Sequence, residues 1–233
     1  MASAYIDLHC HTSGSFDSLA RPADVMRAAV TRGLTHLVIT DHDRIDEAVE
    51  AREHAPAGLT VIVGEEVKTS DGDLICVFVS EAIPPGMSAM ETIAAAREQG
   101  ALVGIPHPFD RYRGSLSKSA RLDSIAPLVD WVETYNARLM GGGNDEAGRF
   151  ALAHGLAGVA VSDAHSVLEV AVAYTILDGD PSTPAGLLAA LPTAERVVGR
   201  ATYVVRLWTP VAKVVQRLRG RGRRLGAGPS TDG

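Results

Sequence analysis

Short runs of aliphatic and β-branched residues alternate along the chain with longer segments whose apolar positions recur every three or four residues. The runs are Ala4–His9, His36–Thr40, Thr60–Glu65, Leu74–Val79, Ala101–Pro106, Trp131–Thr134 and Val159–Ser162, with Ala173–Leu177 a possible eighth. Their length and composition predict strands. Helices are predicted between them. The first runs from Pro22, where proline suits the opening turn, to a stop at Gly33. Others cover Ile45–His54, Ser88–Gln99 after the turn Pro84-Pro85-Gly86, and Asn144–His154 between three glycines and Gly155. Strands alternating with helices predict parallel βαβ units and therefore an α/β fold. Seven or eight units is the count of a closed barrel. A doubly wound open sheet has the same local pattern and is the alternative.

One domain is expected over residues 1–205. Residues 206–233 are expected to add a short basic amphipathic helix, Leu207–Leu218, and a Gly/Arg-rich tail, disordered after Gly220. The 233 residues are 46% hydrophobic and 21% charged, ordinary for a soluble globular protein. No apolar run approaches the roughly 20 residues that span a bilayer, and no signal-peptide pattern opens the chain, so a cytoplasmic location is expected. Cys10 and Cys76 lack zinc-finger spacing and are expected to be buried free thiols.

Charge changes this picture. The net charge of −6 is unevenly spread, because seven of the 22 basic residues and one of the 28 acidic ones lie from Arg206 onward. Residues 1–205 therefore carry 15 basic and 27 acidic side chains, a net of −12. Such a domain is a poor generic nucleic-acid binder but a reasonable holder of cations. The basic tail leaves nucleic acid or an acidic membrane surface open as a contact, with a solvated terminus the alternative. Truncation after Arg206 is expected to leave what residues 1–205 do with small molecules intact.

Functional side chains of α/β barrels collect at the C-terminal ends of the strands. Here those ends carry His9-Cys10-His11, Thr40-Asp41-His42-Asp43, Gly64-Glu65-Glu66, Pro106-His107-Pro108 and Ser162-Asp163-Ala164-His165, with Asp17 in the first loop and Asp73 opening the fourth strand. Five of eight histidines fall at strand ends. His36, His54 and His154 are assigned nothing. Strand alternation turns His9 and His11 to one side and Cys10 to the other. It also directs only one of Glu65 and Glu66 inward, without saying which.

This ordered set of motifs, from Tyr5 to His165, resembles the PHP (polymerase and histidinol phosphatase) family of metal-dependent phosphoesterases. The resemblance implies a single-domain, distorted (β/α)7 TIM-like barrel with two or three divalent metal ions. It implies that His9, His11, Glu66 and Asp163 hold one ion. Glu66 would bridge to a second, bound also by His107 and Asp73, and Asp17, His42 and His165 would hold a third. Asp73 replaces a histidine common in the family, and a surface-turn role is its alternative. Four carboxylates against three divalent ions leave a charge of +2, suited to a phosphate dianion. Imidazole and carboxylate donors suit Zn, Mn or Fe.

The expected reaction is hydrolysis of a phosphomonoester by a metal-bridged hydroxide. Arg111 and Arg113, just beyond His107, are jointly expected to clamp phosphate. His42, His165 or a metal-bound water is expected to protonate the leaving group. Asn136 is expected to contact substrate or brace the site. Asp41 and Asp43 are expected to orient imidazoles, with an N-cap role the alternative for Asp43. The substrate class is a small phosphorylated molecule: a nucleotide, sugar or amino-alcohol phosphate. An amidohydrolase-type metal hydrolase and a catalytically degenerate metal-binding module are the rival readings.

Overall fold

The computed structural model describes residues 3–111, 113, 115–116, 121–201 and 208–221. Nine strands form: β1 (Ser3–Cys10), β2 (His36–Ile39), β3 (Thr60–Lys68), β4 (Asp73–Val77), β5 (Leu102–Ile105), β6 (Trp131–Asn136), β7 (Ala157–Val161), β8 (Tyr174–Asp178) and β9 (Glu195–Val197). The α-helices are α1 (Pro22–Thr31), α2 (Asp46–Glu53), α3 (Ala89–Glu98), α4 (Leu122–Ile125), α5 (Gly143–His154), α6 (Pro184–Ala190) and α7 (Trp208–Leu218). Every expected strand is present. The C-terminal helix begins at Trp208, and the tail expected to be disordered lies outside the described residues from 222 onward.

The strands hydrogen-bond in the order β7-β6-β5-β4-β3-β2-β1-β8-β9. Beyond their regular ladders, β7 and β1 meet at one end. There Asp163 N donates to the His9 carbonyl at 2.9 Å and His11 N to the Ala164 carbonyl at 2.8 Å. These bonds draw β1–β7 into a nearly closed barrel, so the open-sheet alternative is excluded. β8 and β9 extend the sheet antiparallel beside β1.

The barrel departs from regular βαβ alternation at β4, which pairs antiparallel with both β3 and β5. The connection Thr69–Gly72 is too short for the crossover that a parallel neighbour needs, so the chain turns back as a hairpin. Lys68 therefore pairs with Asp73, bringing the start of β4 to the rim where β3 ends.

Two apolar layers stabilise the barrel. Leu37, Ile39, Val61 and Val103 pack outward against Val25 and Ala29 of α1, Ala48 of α2 and Ile93 of α3. Ile6, Leu8, Val38, Ile62, Trp131 and Val159 form an inner cluster with Leu187 of α6 and Leu191 just beyond it. Gly104 faces the Trp131 indole so closely that a Cβ there would collide with the ring. α3 starts in a capping box, Ser88 accepting from Glu91 N while the Glu91 carboxylate accepts from Ser88 N. Among the described residues no helix is long and apolar enough to cross a membrane.

Candidate metal centre

At the rim, β1 delivers two imidazoles. Its register against β2 shifts between Asp7 and Cys10. Leu8 consequently remains in the inner apolar cluster, while Cys10 joins the outer one. His9 and His11, on either side of Cys10, face the barrel mouth, and Cys10 is a buried free thiol outside the site. His107 after β5 and Asp163 after β7 adopt left-handed backbone conformations, with φ of 28° and 52°. For non-glycine residues these cost on the order of 1 kcal/mol each, a strain typical of residues fixed for function.

Four donor atoms converge around the ends of β1, β3 and β7. His9 Nε2 lies 2.9 Å from His11 Nε2, 3.4 Å from Glu66 Oε2 and 3.6 Å from Asp163 Oδ1. His11 Nε2 lies 3.3 Å from Glu66 Oε2 and 3.5 Å from Asp163 Oδ1. Ligands about 2.0–2.2 Å from one ion stand roughly 2.8–3.6 Å apart in octahedral or tetrahedral geometry. The observed separations match that range.

Glu66 faces a second group through its other oxygen. Oε1 is 3.2 Å from His107 Nε2, and Asp73 joins the pair with donor atoms all within 4.8 Å. Asp17 Oδ1 stands 3.6 Å from His42 Nε2 and 3.4 Å from His165 Nε2. All nine residues expected as ligands thus meet at one mouth. The buried Asp17 Oδ1 and Asp163 Oδ1 have no hydrogen-bond partner among the described residues. A buried acceptor left in that state is costly unless a cation serves it.

Neighbouring side chains fix these donors. Glu133 Oε1 accepts from His9 Nδ1 at 2.6 Å, leaving Nε2 free to face the cluster. The other Glu133 oxygen accepts from His107 N at 2.8 Å and Asn136 Nδ2 at 2.9 Å, and Asn136 Nδ2 also reaches Asp163 Oδ2 at 3.0 Å. Asn136 therefore braces the site. His11 Nδ1 donates to Ser15 Oγ at 2.9 Å, and Ser15 donates to Asp41 Oδ1 at 2.7 Å. Asp41 thus orients His11 through Ser15 rather than the adjacent His42. Asp43 does not cap α2. Its Oδ1 accepts from Lys68 N at 2.7 Å, and α2 is preceded by Ile45 without a side-chain cap.

Electrostatics show the same demand for positive charge. Burial works against charge on His9 and His11. The carboxylates of Glu133, Asp163 and Glu66 nevertheless lift His9 well above the ordinary imidazole range, and Asp163 and Glu66 lift His11 to about 9. Glu66, despite its burial, is held well below the usual carboxylate range by His42 and His9, and Asp163 by Arg113 and His9. His165 is different: burial and Arg138 push it down to about 3.

The two arginines expected to act jointly separate. Arg113 lines the cavity of about 440 Å³ above the cluster, with Nε donating to Asp110 at 2.7 Å and Nη1 paired with Asp163. Arg111 is exposed and is not among the cavity-lining residues. Between Glu65 and Glu66 the structure selects Glu66 for the mouth, while Glu65 turns outward and accepts from Ile83 N at 2.8 Å. Asp73 is 3.2 Å from Lys68 Nζ, so it combines a place at the centre with an ion pair on the adjacent strand. The pattern of strand ends did not reveal Ser15, Arg138, Phe16 or the α7 residues Thr209, Pro210 and Lys213, all but Ser15 of which line the cavity. Ser15 had one signal, its position four residues after His11 in the loop leading to Asp17.

A barrel whose mouth gathers imidazoles and carboxylates at ligand spacing defines a class of protein able to hold metal ions. The PHP domain profile matches residues 7–176, and the chain belongs to that family. An uncharacterised protein of Methanocaldococcus jannaschii is 36% identical over 143 residues, covering 56% of this chain and 81% of that protein. A 5′-3′ exoribonuclease of Haemophilus influenzae is 32% identical over 120 residues, 45% of this chain and 42% of that enzyme. In fold the chain is similar to a two-domain Bacteroides vulgatus protein containing a predicted PHP-like metal-dependent phosphoesterase. The TM-score is 0.72 at 19% identity, over 85% of this chain and 65% of that one.

Proposed function

We propose that this protein is a metal-dependent phosphomonoesterase, and that His9, His11, Asp17, His42, Glu66, Asp73, His107, Asp163 and His165 hold two or three divalent ions. The observation that carries this proposal is the set of donor separations around His9 and His11, from 2.9 to 3.6 Å. Zn, Mn or Fe suits the mixed imidazole and carboxylate donors. Bound ions would supply a water of lowered pKa and Lewis-acid stabilisation of the phosphoryl oxygens.

The chain's own residues do the rest. Glu133 and the Ser15–Asp41 pair hold His9 and His11 in one tautomer and orientation. Arg113, rather than Arg111, meets the phosphate, because its guanidinium lines the cavity. His42 also lines it and is the side chain placed to protonate a leaving group, whereas His165, pushed down to about 3 by burial and Arg138, has no proton to give. The acidic barrel and the limited cavity favour a small phosphorylated substrate. Similarity to an exoribonuclease makes the phosphorylated end of an oligonucleotide the second class to test.

The test combines elemental analysis of purified protein with a panel of phosphomonoesters, 5′-phosphorylated oligonucleotides and amides, for wild type and His9→Ala. Two to three ions per chain are expected, with phosphoester hydrolysis abolished by chelator and by the substitution. Amide hydrolysis alone would support the amidohydrolase reading. Tight metal binding without any turnover would support a degenerate module.

A further inference from the structure

Helix α7 packs on its less apolar side. Trp208, Val211, Val214 and Leu218 form an apolar stripe, yet all four are exposed, Leu218 at 82%. The residues turned inward are Ala212 and Gln216, both at 0%. Simple burial of apolar area would favour the opposite orientation. The contacts made by the inward and flanking residues explain it.

Gln216 Nε2 points into the loop between β1 and α1. It donates to the carbonyls of Ser13 at 2.7 Å, Ser15 at 3.0 Å and Ser18 at 2.8 Å. That loop carries Asp17 between two of the tethered positions, and Ser15, whose hydroxyl supports His11. One buried amide from the far end of the sequence therefore fixes the segment that presents a carboxylate to His42 and His165. Near the start of the helix, Thr209 Oγ1 accepts from Arg138 Nη2 at 2.6 Å. α7 is thus fastened to two sides of the mouth.

Lys213, between these anchors, lines the same cavity. Its Nζ lies 5.4 Å from the centre of the Phe16 ring, and that ring is 4.8 Å from the His42 ring. The other cavity cations are engaged by acids, Arg113 with Asp110 and Asp163, and Arg138 with Glu169. Among the described residues Lys213 has no acidic partner. A cation at a cavity wall without a counter-ion, backed by an aromatic face, is arranged to receive an anion.

We infer that α7 completes the metal pocket: Gln216 positions the Asp17 loop, and Lys213 contacts the anionic substrate. This rests on the function proposed above and replaces the expectation that residues after Arg206 are dispensable for small substrates. Gln216 is a positioning residue, acting through Asp17.

The test uses the full chain, stripped with chelator and titrated with Mn²⁺ by calorimetry, then assayed with p-nitrophenyl phosphate. Gln216→Met should weaken one ion-binding event by about 10-fold or more, leaving the others near wild type. If Gln216→Met does not fold, Gln216→Asn, whose shorter amide reaches fewer carbonyls, gives the same readout. Lys213→Met should raise KM, and the Ki for inorganic phosphate, about 10-fold with kcat within about threefold, and Lys213→Arg should restore both. Arg219→Met, exposed on the same segment, should change neither. Wild-type Mn²⁺ affinity in the Gln216 variant, or an equal effect of Lys213→Met and Arg219→Met, overturns the inference while the enzymatic proposal stands. Wild-type protein that binds no Mn²⁺ and hydrolyses no phosphoester overturns the enzymatic proposal itself.

Discussion

The barrel interior and the barrel mouth are equally buried and chemically opposite. Ile6, Leu8, Val38 and Trp131 fill the interior at 3% exposure or less, and His9, His11, Glu66 and Asp163 fill the mouth to the same degree. Burial of the first set stabilises the fold by roughly 25 cal/mol per Å² of apolar area. Burial of the second set costs free energy, because charged and polar groups leave water, and their mutual pairing offsets only part of it. Equal exclusion from solvent thus marks stability in one region and chemistry in the other. The difference lies in whether the buried atoms still lack something.

The largest expected effect tests the mouth. His9→Ala should lower kcat/KM for a responsive phosphoester by about 10⁴-fold, above 5 kcal/mol of transition-state stabilisation. Its melting temperature without metal should stay within a few degrees of wild type. Trp131→Ala tests the interior. Removing a fully buried indole should cost about 3–5 kcal/mol of stability and lower the melting temperature by about 10 °C. Turnover per folded molecule at 25 °C should stay within a few-fold of wild type. Exchanged outcomes, with His9→Ala unfolding and Trp131→Ala folded but inactive, would break the contrast.

Metal addition sharpens the comparison from the other side. An ion that binds the folded mouth and not the unfolded chain stabilises by about 2.7 kcal/mol at 100 times its Kd. Melting of chelator-treated protein should therefore rise by several degrees when Mn²⁺ or Zn²⁺ is restored. Asp163→Asn should remove most of that rise. A melting temperature indifferent to both ions would mean that the mouth satisfies itself with protons alone.

How much of this was legible beforehand follows from where each signal sits. Apolar runs exposed eight strands because each buries a continuous face, whereas β9, Glu-Arg-Val at the sheet edge, offers no such run. The reversed direction of β4 was written in the four residues between Lys68 and Asp73, a connection too short for a crossover. The candidate ligands stood out because barrel geometry collects strand ends. Supporting residues did not, because their roles depend on contacts remote in sequence. Gln216 acquires meaning only through carbonyls about 200 positions away. Composition alone made α7 look like an appendage, since its exposed residues, including Lys213 and Arg217, outnumber its inward ones.

Adjacent acids on β3 carry the contrast down to a single peptide unit. Glu66 faces the imidazoles and is held low. Glu65 faces the outer apolar layer, where burial pushes its carboxyl up to about 8 against only one backbone donor, Ile83 N. The folded chain therefore keeps a proton on Glu65 between its ordinary value of 4.5 and about 8, a range in which the unfolded chain has released it. The stability from this group is fully present below the lower value and is lost as pH rises through the upper one. Glu65→Gln fixes the side chain neutral and retains an oxygen for Ile83 N. Relative to wild type, the variant should gain on the order of 4 kcal/mol of stability between pH 5 and pH 9, read from paired urea melts on chelator-treated protein. Parallel pH profiles for the two proteins would show that Glu65 ionises in the fold as freely as in water, and that the outer layer imposes no such cost on an acid.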